Sequence, residues 1–160
     1  MKKFLFVALI LVLTILAFGA YAEAPADNSP MQYISPADLK ADLGSTAPKY
    51  LILDMRKAAD YSAGHIKGSV TADMDKALNG DAAAGFAGMK TALKSATGSE
   101  TGKEDTQIVL VCYSGKAYAQ KGTDILVGMG VKPANIHTLE GGIKAWNGAG
   151  ADYTALVVKE

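Results

Sequence analysis

The chain has 160 residues, which suits one domain with a single core, and 49% of them are hydrophobic. Its 16 basic and 16 acidic residues balance to a net charge of 0, which argues against nucleic acid as a partner, since nucleic acid selects for basic patches. A lone cysteine cannot staple the chain to itself, and two dispersed histidines with one cysteine make no metal-ligand cluster.

Met1-Lys2-Lys3 is a short basic start, Phe4 to Phe18 is apolar apart from Thr14, and Ala20-Tyr21-Ala22 is a small-x-small site. This order reads as a secretory signal peptide over residues 1–22, cleaved after Ala22, and predicts export, to the periplasm in a bacterium. The alternative is an uncleaved anchor, although the apolar run falls short of the roughly 20 residues that span a bilayer. Loss of Lys2 and Lys3 from the 16 basic residues leaves 14 against 16 acidic, a net charge of −2. A mature chain of that charge is not expected to bind an anionic membrane. Residues 23–30 are polar, small and proline-containing and read as a flexible lead-in, followed by one domain over 31–160.

Ser35-Pro36-Ala37-Asp38 is a helix start: Ser35 as cap, Pro36 at the first helical position, Asp38 in the first turn. Gly44 is its expected stop. Tyr50-Leu51-Ile52-Leu53, ending at Asp54, and Ile108-Val109-Leu110-Val111, ending at Cys112, are continuous apolar runs of the kind found in parallel strands covered on both faces. Asn135 to Leu139 reads as a third strand and Ser69-Val70-Thr71 as a shorter fourth. Asp81 to Lys94 is an alanine-rich helix, and Ser95 to Asp105 a surface loop. Ala117, Lys121, Ile125 and Met129 fall on successive turns of a helix that Gly128 and Gly130 end. Gly141-Gly142 opens a short helix through Trp146, and Ala155 to Val158 is expected to return as an edge strand. Alternating strands and helices predict an α/β domain with a mainly parallel sheet.

Chemistry concentrates at Cys112-Tyr113-Ser114-Gly115-Lys116-Ala117, where an apolar strand stops and a helix begins. A tight loop there turns successive backbone N–H groups inward, and Gly115 supplies the freedom to curl. With the positive end of the following helix, such a ring holds a sulfur as thiolate, the nucleophilic form, and requires no histidine base. Ser114 is placed to offer a hydroxyl to a bound anion. Tyr113 faces either the substrate mouth or outward.

Leu53-Asp54-Met55-Arg56 with Tyr61-Ser62-Ala63-Gly64-His65-Ile66-Lys67-Gly68-Ser69 closely resembles the first signature of the rhodanese family. Leu139-Glu140-Gly141-Gly142-Ile143-Lys144-Ala145-Trp146 resembles its C-terminal signature, and the Cys112 loop lies between them in the family's order. The resemblance spans about Gln32 to Gly150. It implies a single rhodanese domain, with a mainly parallel five-stranded sheet flanked by helices, a persulfide-forming Cys112 and no cofactor. Many members carry Arg at the loop position held here by Ala117, where it helps bind anionic donors. Lys116 or Lys121 is left to attract such a donor, without the bidentate fork of Arg. The family's phosphatase relatives close a longer loop with Arg, and no Arg occurs in the helix after Cys112.

Arg56 is the single arginine of the chain and is expected to pair with Asp54, bracing the turn after the strand, with direct substrate contact as the alternative. His65 belongs by resemblance to a structural turn rather than acting as base for Cys112. Trp146 is expected to fill core volume, and His137 to be half-buried in its strand. Two functions follow. One is a sulfurtransferase taking sulfane sulfur from thiosulfate or a related donor to a thiophilic acceptor through a Cys112 persulfide. The other is a persulfide carrier for a thiol-bearing protein. Small sulfur-containing anions and thiols are the expected partners.

Overall fold

The computed structural model describes residues 24–160. The signal sequence expected over 1–22, with its cleavage site, lies outside the described residues.

Five strands form one sheet in which every pairing is parallel. In chain order they are β1 (Gln32–Ile34), β2 (Tyr50–Asp54), β4 (Val70–Thr71), β5 (Gln107–Val111) and β6 (Ile136–Leu139), and they lie side by side as β1-β6-β5-β2-β4. The two apolar runs take the centre as β2 and β5, paired from Tyr50–Gln107 to Asp54–Val111. Both of their faces are buried. Ile108, Leu110 and Cys112 point to one side with Leu53 and Met55, while Val109 and Val111 point to the other with Ile52. That two-sided burial is why these strands are apolar throughout instead of alternating.

Helices cover each face. On the Cys112 side lie α3 (Asp75–Leu78), α4 (Ala82–Thr97) and α5 (Ala117–Gly128), which contribute Ala77, Phe86, Met89, Leu93, Ile125 and Leu126. On the other side lie α1 (Pro36–Leu43), α6 (Gly142–Gly148) and α7 (Ala151–Thr154), with Leu39, Ile143 and Trp146 buried against the sheet. Trp146 is core, as expected, and donates its indole N–H to Tyr153 O at 3.0 Å. Ser35 caps α1 by accepting from Asp38 N–H, with Pro36 in the first turn and Gly44 at the end.

The structure departs from expectation in four places. The helix expected to stop at Lys94 runs on to Thr97, whose hydroxyl donates to Leu93 O, and it ends where Gly98 turns to φ 80°. The surface loop therefore starts three residues later than expected. Val157–Val158 forms a strand, β7, but not on the edge of the main sheet. It pairs antiparallel with β3 (His65–Ile66) in a separate two-stranded ribbon. The edges of the main sheet are β4 and β1, and in β1 Tyr33 is 53% exposed and pairing with β6 does the work that an apolar pattern does elsewhere. Finally, the lead-in expected to be flexible is tied to α5. Ala26 N–H donates to Asp124 O at 3.0 Å, buried Ser29 donates its N–H to Asp124 Oδ1 at 2.8 Å, and Gln120 donates to Ser29 O at 2.8 Å.

His137 sits half-buried on β6, edge-on to Tyr50 at 5.6 Å. Burial lowers its pKa below the ordinary 6.5, and Lys49 lowers it further. Between the lowered folded value and 6.5 the unfolded chain binds more protons, so this group's contribution is complete above 6.5 and is lost as pH falls through that window. The urea midpoint should therefore drop between pH 7.5 and 5.5, and drop less in His137→Gln. Equal pH dependence in the two proteins would contradict this assignment.

Candidate active site

At the carboxyl end of β5 the chain leaves the sheet at Cys112, which is 2% exposed, and turns into α5. Gly115 makes the turn at φ 69° and donates its N–H to Cys112 Sγ at 3.2 Å. A side chain is excluded there for a second reason: a Cβ on Gly115 would stand 2.8 Å from Leu139 O and 3.2 Å from Gly141 N. Of the amides from Tyr113 to Ala117 expected to ring the sulfur, Gly115's is the one that donates to it. Ser114, Lys116 and Ala117 are exposed along the rim, and no carboxylate pairs with Lys116 among the described residues. Lys121 is half-buried one turn further along α5.

The loop's carbonyls are taken by α6. Ile143 N–H donates to Cys112 O at 2.8 Å and Lys144 N–H to Tyr113 O at 3.2 Å. On the other side, Met55 N–H donates to Val111 O at 2.7 Å, carrying the β2–β5 ladder up to the cysteine. The resemblance marked Gly141-Gly142 as a signature, but its contact with the cysteine loop spans thirty positions and has no local pattern.

Tyr113, which the sequence leaves facing either way, reaches across to α2 (Ala58–Ala63). Its hydroxyl donates to Asp60 Oδ2 and accepts from Lys57 N–H at 3.4 Å. Its ring stands edge-on to Tyr118 at 5.2 Å, with the Arg56 guanidinium 6.0 Å from its centre. Tyr118 in turn donates to Asp75 Oδ1 at 2.7 Å, and Lys57 pairs with the same oxygen at 3.5 Å. Burial and then the bond to Asp60 raise the Tyr113 pKa, and the bond to Asp75 pushes Tyr118 up to about 12. Both phenols stay protonated near neutrality and tie the loop to the first turns of α2 and α3. Asp60, Asp75 and Tyr118 were not among the residues singled out from sequence.

The supporting residues lie beside this loop. Asp54 ends β2 opposite Val111 and is fully buried. Arg56, 6% exposed, donates from Nε to both Asp54 oxygens at 3.0 and 3.2 Å and from Nη2 to Oδ2 at 2.7 Å. The same Nη2 donates to Gly64 O at 2.7 Å, which ties β2 to the end of α2 and gives the bracing role expected of this pair. His65 Nδ1 bonds Tyr61 O at 2.9 Å, and its ring stacks on Tyr61 at 3.8 Å. It serves the α2–β3 turn and makes no hydrogen bond to Cys112.

A family model described as the rhodanese-like domain matches residues 35–149, most of the chain. The chain belongs to the rhodanese-like family. Solved rhodanese structures share its fold at low identity. The rhodanese-like domain of an Anabaena protein superposes with TM-score 0.58 at 18% identity, covering 82% of this chain and 81% of that one. A rhodanese-related protein of Thermoplasma volcanium gives 0.53 at 22% identity, covering 81% and 99%. The human single-domain sulfurtransferase gives 0.52 at 19%, covering 76% and 100%. No curated protein matches the chain by sequence.

In this rhodanese-like domain the nucleophile candidate is thus a thiol at a strand end, beside an N–H donor, with its flanking carbonyls engaged elsewhere. The position where many members carry Arg is the exposed Ala117, so the rim's cations are Lys116 and Lys57. Lys57 is already engaged by Asp75, whereas no carboxylate pairs with Lys116 among the described residues.

Proposed function

We propose that the protein is a sulfurtransferase that carries sulfane sulfur on Cys112. The carrying observation is the Gly115 N–H aimed at Sγ at 3.2 Å in a loop closed by a glycine of positive φ. The Cys112 thiolate attacks the outer sulfur of thiosulfate. The S–S bond of the donor breaks, sulfite leaves with the bonding pair, and Cys112 keeps the outer sulfur as a persulfide. An acceptor such as cyanide in an assay, or a thiol or sulfite in a cell, then attacks that outer sulfur and releases the Cys112 thiolate. This is covalent, two-step catalysis with ping-pong kinetics. Backbone donors serve here because they need no reorganisation as charge moves along the sulfurs. Export of the protein, on the evidence of its basic start, apolar run and Ala20-Tyr21-Ala22, forms part of this reading.

A carrier serving a thiol-bearing protein is the second reading, favoured by the exposed Ala117 and by a cysteine that is 2% exposed. Turnover separates the two. An enzyme converts free thiosulfate and cyanide to thiocyanate in repeated cycles, whereas a carrier loads once and unloads to a protein thiol.

Lys116→Ala tests donor capture. One exposed charge near a bound anion is worth about 1 kcal/mol in water, so KM for thiosulfate should rise about fivefold, with the melting temperature unchanged. The effect should shrink in high salt. A KM equal to wild type at low ionic strength removes Lys116 from the site.

A further inference from the structure

Gly141 and Gly142 both take left-handed conformations, at φ 67° and 60°, so a side chain at either meets similar backbone resistance. Their surroundings differ. A Cβ on Gly141 would meet Ala145 of its own helix, at 2.5 Å from that Cβ. A Cβ on Gly142 would overlap Cys112 O and stand 2.7 Å from Ser114 N and 2.8 Å from Gly115 N. All three atoms are backbone of the cysteine loop, and the last is the nitrogen that donates to Sγ.

In a trans peptide the C=O and N–H lie in one plane and point in opposite directions. With the carbonyls of Cys112 and Tyr113 held by the amides of Ile143 and Lys144, the N–H groups of Tyr113 and Ser114 must face away from α6. The peptide planes on either side of Tyr113, which lead into the Gly115 amide that donates to Sγ, are thereby set by α6. The absence of a side chain at Gly142 lets α6 come close enough to make those bonds.

We infer that Gly142 is a positioning residue for Cys112: it contacts no substrate, and it sets the peptide planes of the cysteine loop through α6. The inference rests on Cys112 being the sulfur carrier. The test compares Gly142→Ala with Gly141→Ala in the full domain, using two readouts at a temperature where both are folded. The first is turnover with thiosulfate and cyanide. The second is the rate of Cys112 alkylation by iodoacetamide, which needs no sulfur chemistry. Gly142→Ala should lower kcat at least tenfold with KM for thiosulfate little changed, and should slow alkylation at least tenfold. Gly141→Ala should stay within threefold of wild type in both.

Should Gly142→Ala fail to fold, Lys144→Pro replaces it. That change removes the amide that bonds Tyr113 O, at an exposed first-turn position where proline is tolerated. It should slow alkylation at least tenfold. Equal alkylation rates in the loop-side variant and Gly141→Ala overturn the inference. A wild type that turns over no sulfur while the alkylation difference persists overturns the proposed reaction and leaves the positioning role standing.

Discussion

Cys112→Ala is expected to lose all persulfide formation while remaining folded, because it removes the one thiol in the chain. The stability change should be modest but not zero. The side chain is buried in the cluster with Leu110 and Met55, and the truncation leaves the Gly115 N–H without its acceptor. Loss of a partner for one buried donor costs about 1–3 kcal/mol. Cys112→Ser keeps an acceptor at the same place, so it should melt closer to wild type than the alanine variant while being equally dead in sulfur transfer. Thermal melts and a thiocyanate assay check both statements. Residual transfer by either variant would move the chemistry away from Cys112. A serine variant less stable than the alanine one would contradict the role given to the Gly115 hydrogen bond.

Breaking the Asp54–Arg56 pair is expected to be the most destabilising single change. Arg56→Ala leaves a fully buried carboxylate with one remaining donor, the Arg56 backbone N–H at 3.0 Å, and removes the tie to Gly64 O. Removing one partner of a buried ion pair costs about 3–5 kcal/mol, a large share of the roughly 5–15 kcal/mol that holds a domain together. Arg56→Lys should recover part of this, since an ammonium keeps the charge but not the fork. The double change Asp54→Asn with Arg56→Met should cost less than the sum of its parts, because it leaves no unpaired charge. Urea denaturation measures all three. A midpoint for Arg56→Ala within the error of wild type would overturn the bracing role. A raised KM for thiosulfate without loss of stability would instead favour direct substrate contact.

The central strands were legible because burial on both faces leaves an unbroken apolar run, and β2 and β5 sit where Tyr50–Leu53 and Ile108–Val111 place them. Strand β1 was not legible: it is three residues long, Gln32 and Tyr33 are exposed, and its pairing with β6 is visible only in three dimensions. Val157–Val158 could be read as a strand but not assigned a partner, since a two-residue apolar pair carries no register; the ribbon with His65–Ile66 decides it. Within the site, Cys112 and Gly115 stand out because strand, thiol and glycine are contiguous. Asp60, Asp75 and the α6 amides do not, because their partners lie 31 to 53 positions away, through contacts that leave no periodic trace. The Asp54–Arg56 pair falls between these cases, since a spacing of two residues after a strand lets one side chain fold back on the other.

The most direct test of sulfur transfer through Cys112 is the intact mass of the protein after incubation with thiosulfate, with Cys112→Ala alongside. A gain of one sulfur, about 32 Da, on the wild type alone is the predicted result for a nucleophilic thiol that keeps the donor's outer sulfur. No gain with thiosulfate or with a protein persulfide, or an equal gain in Cys112→Ala, would contradict it.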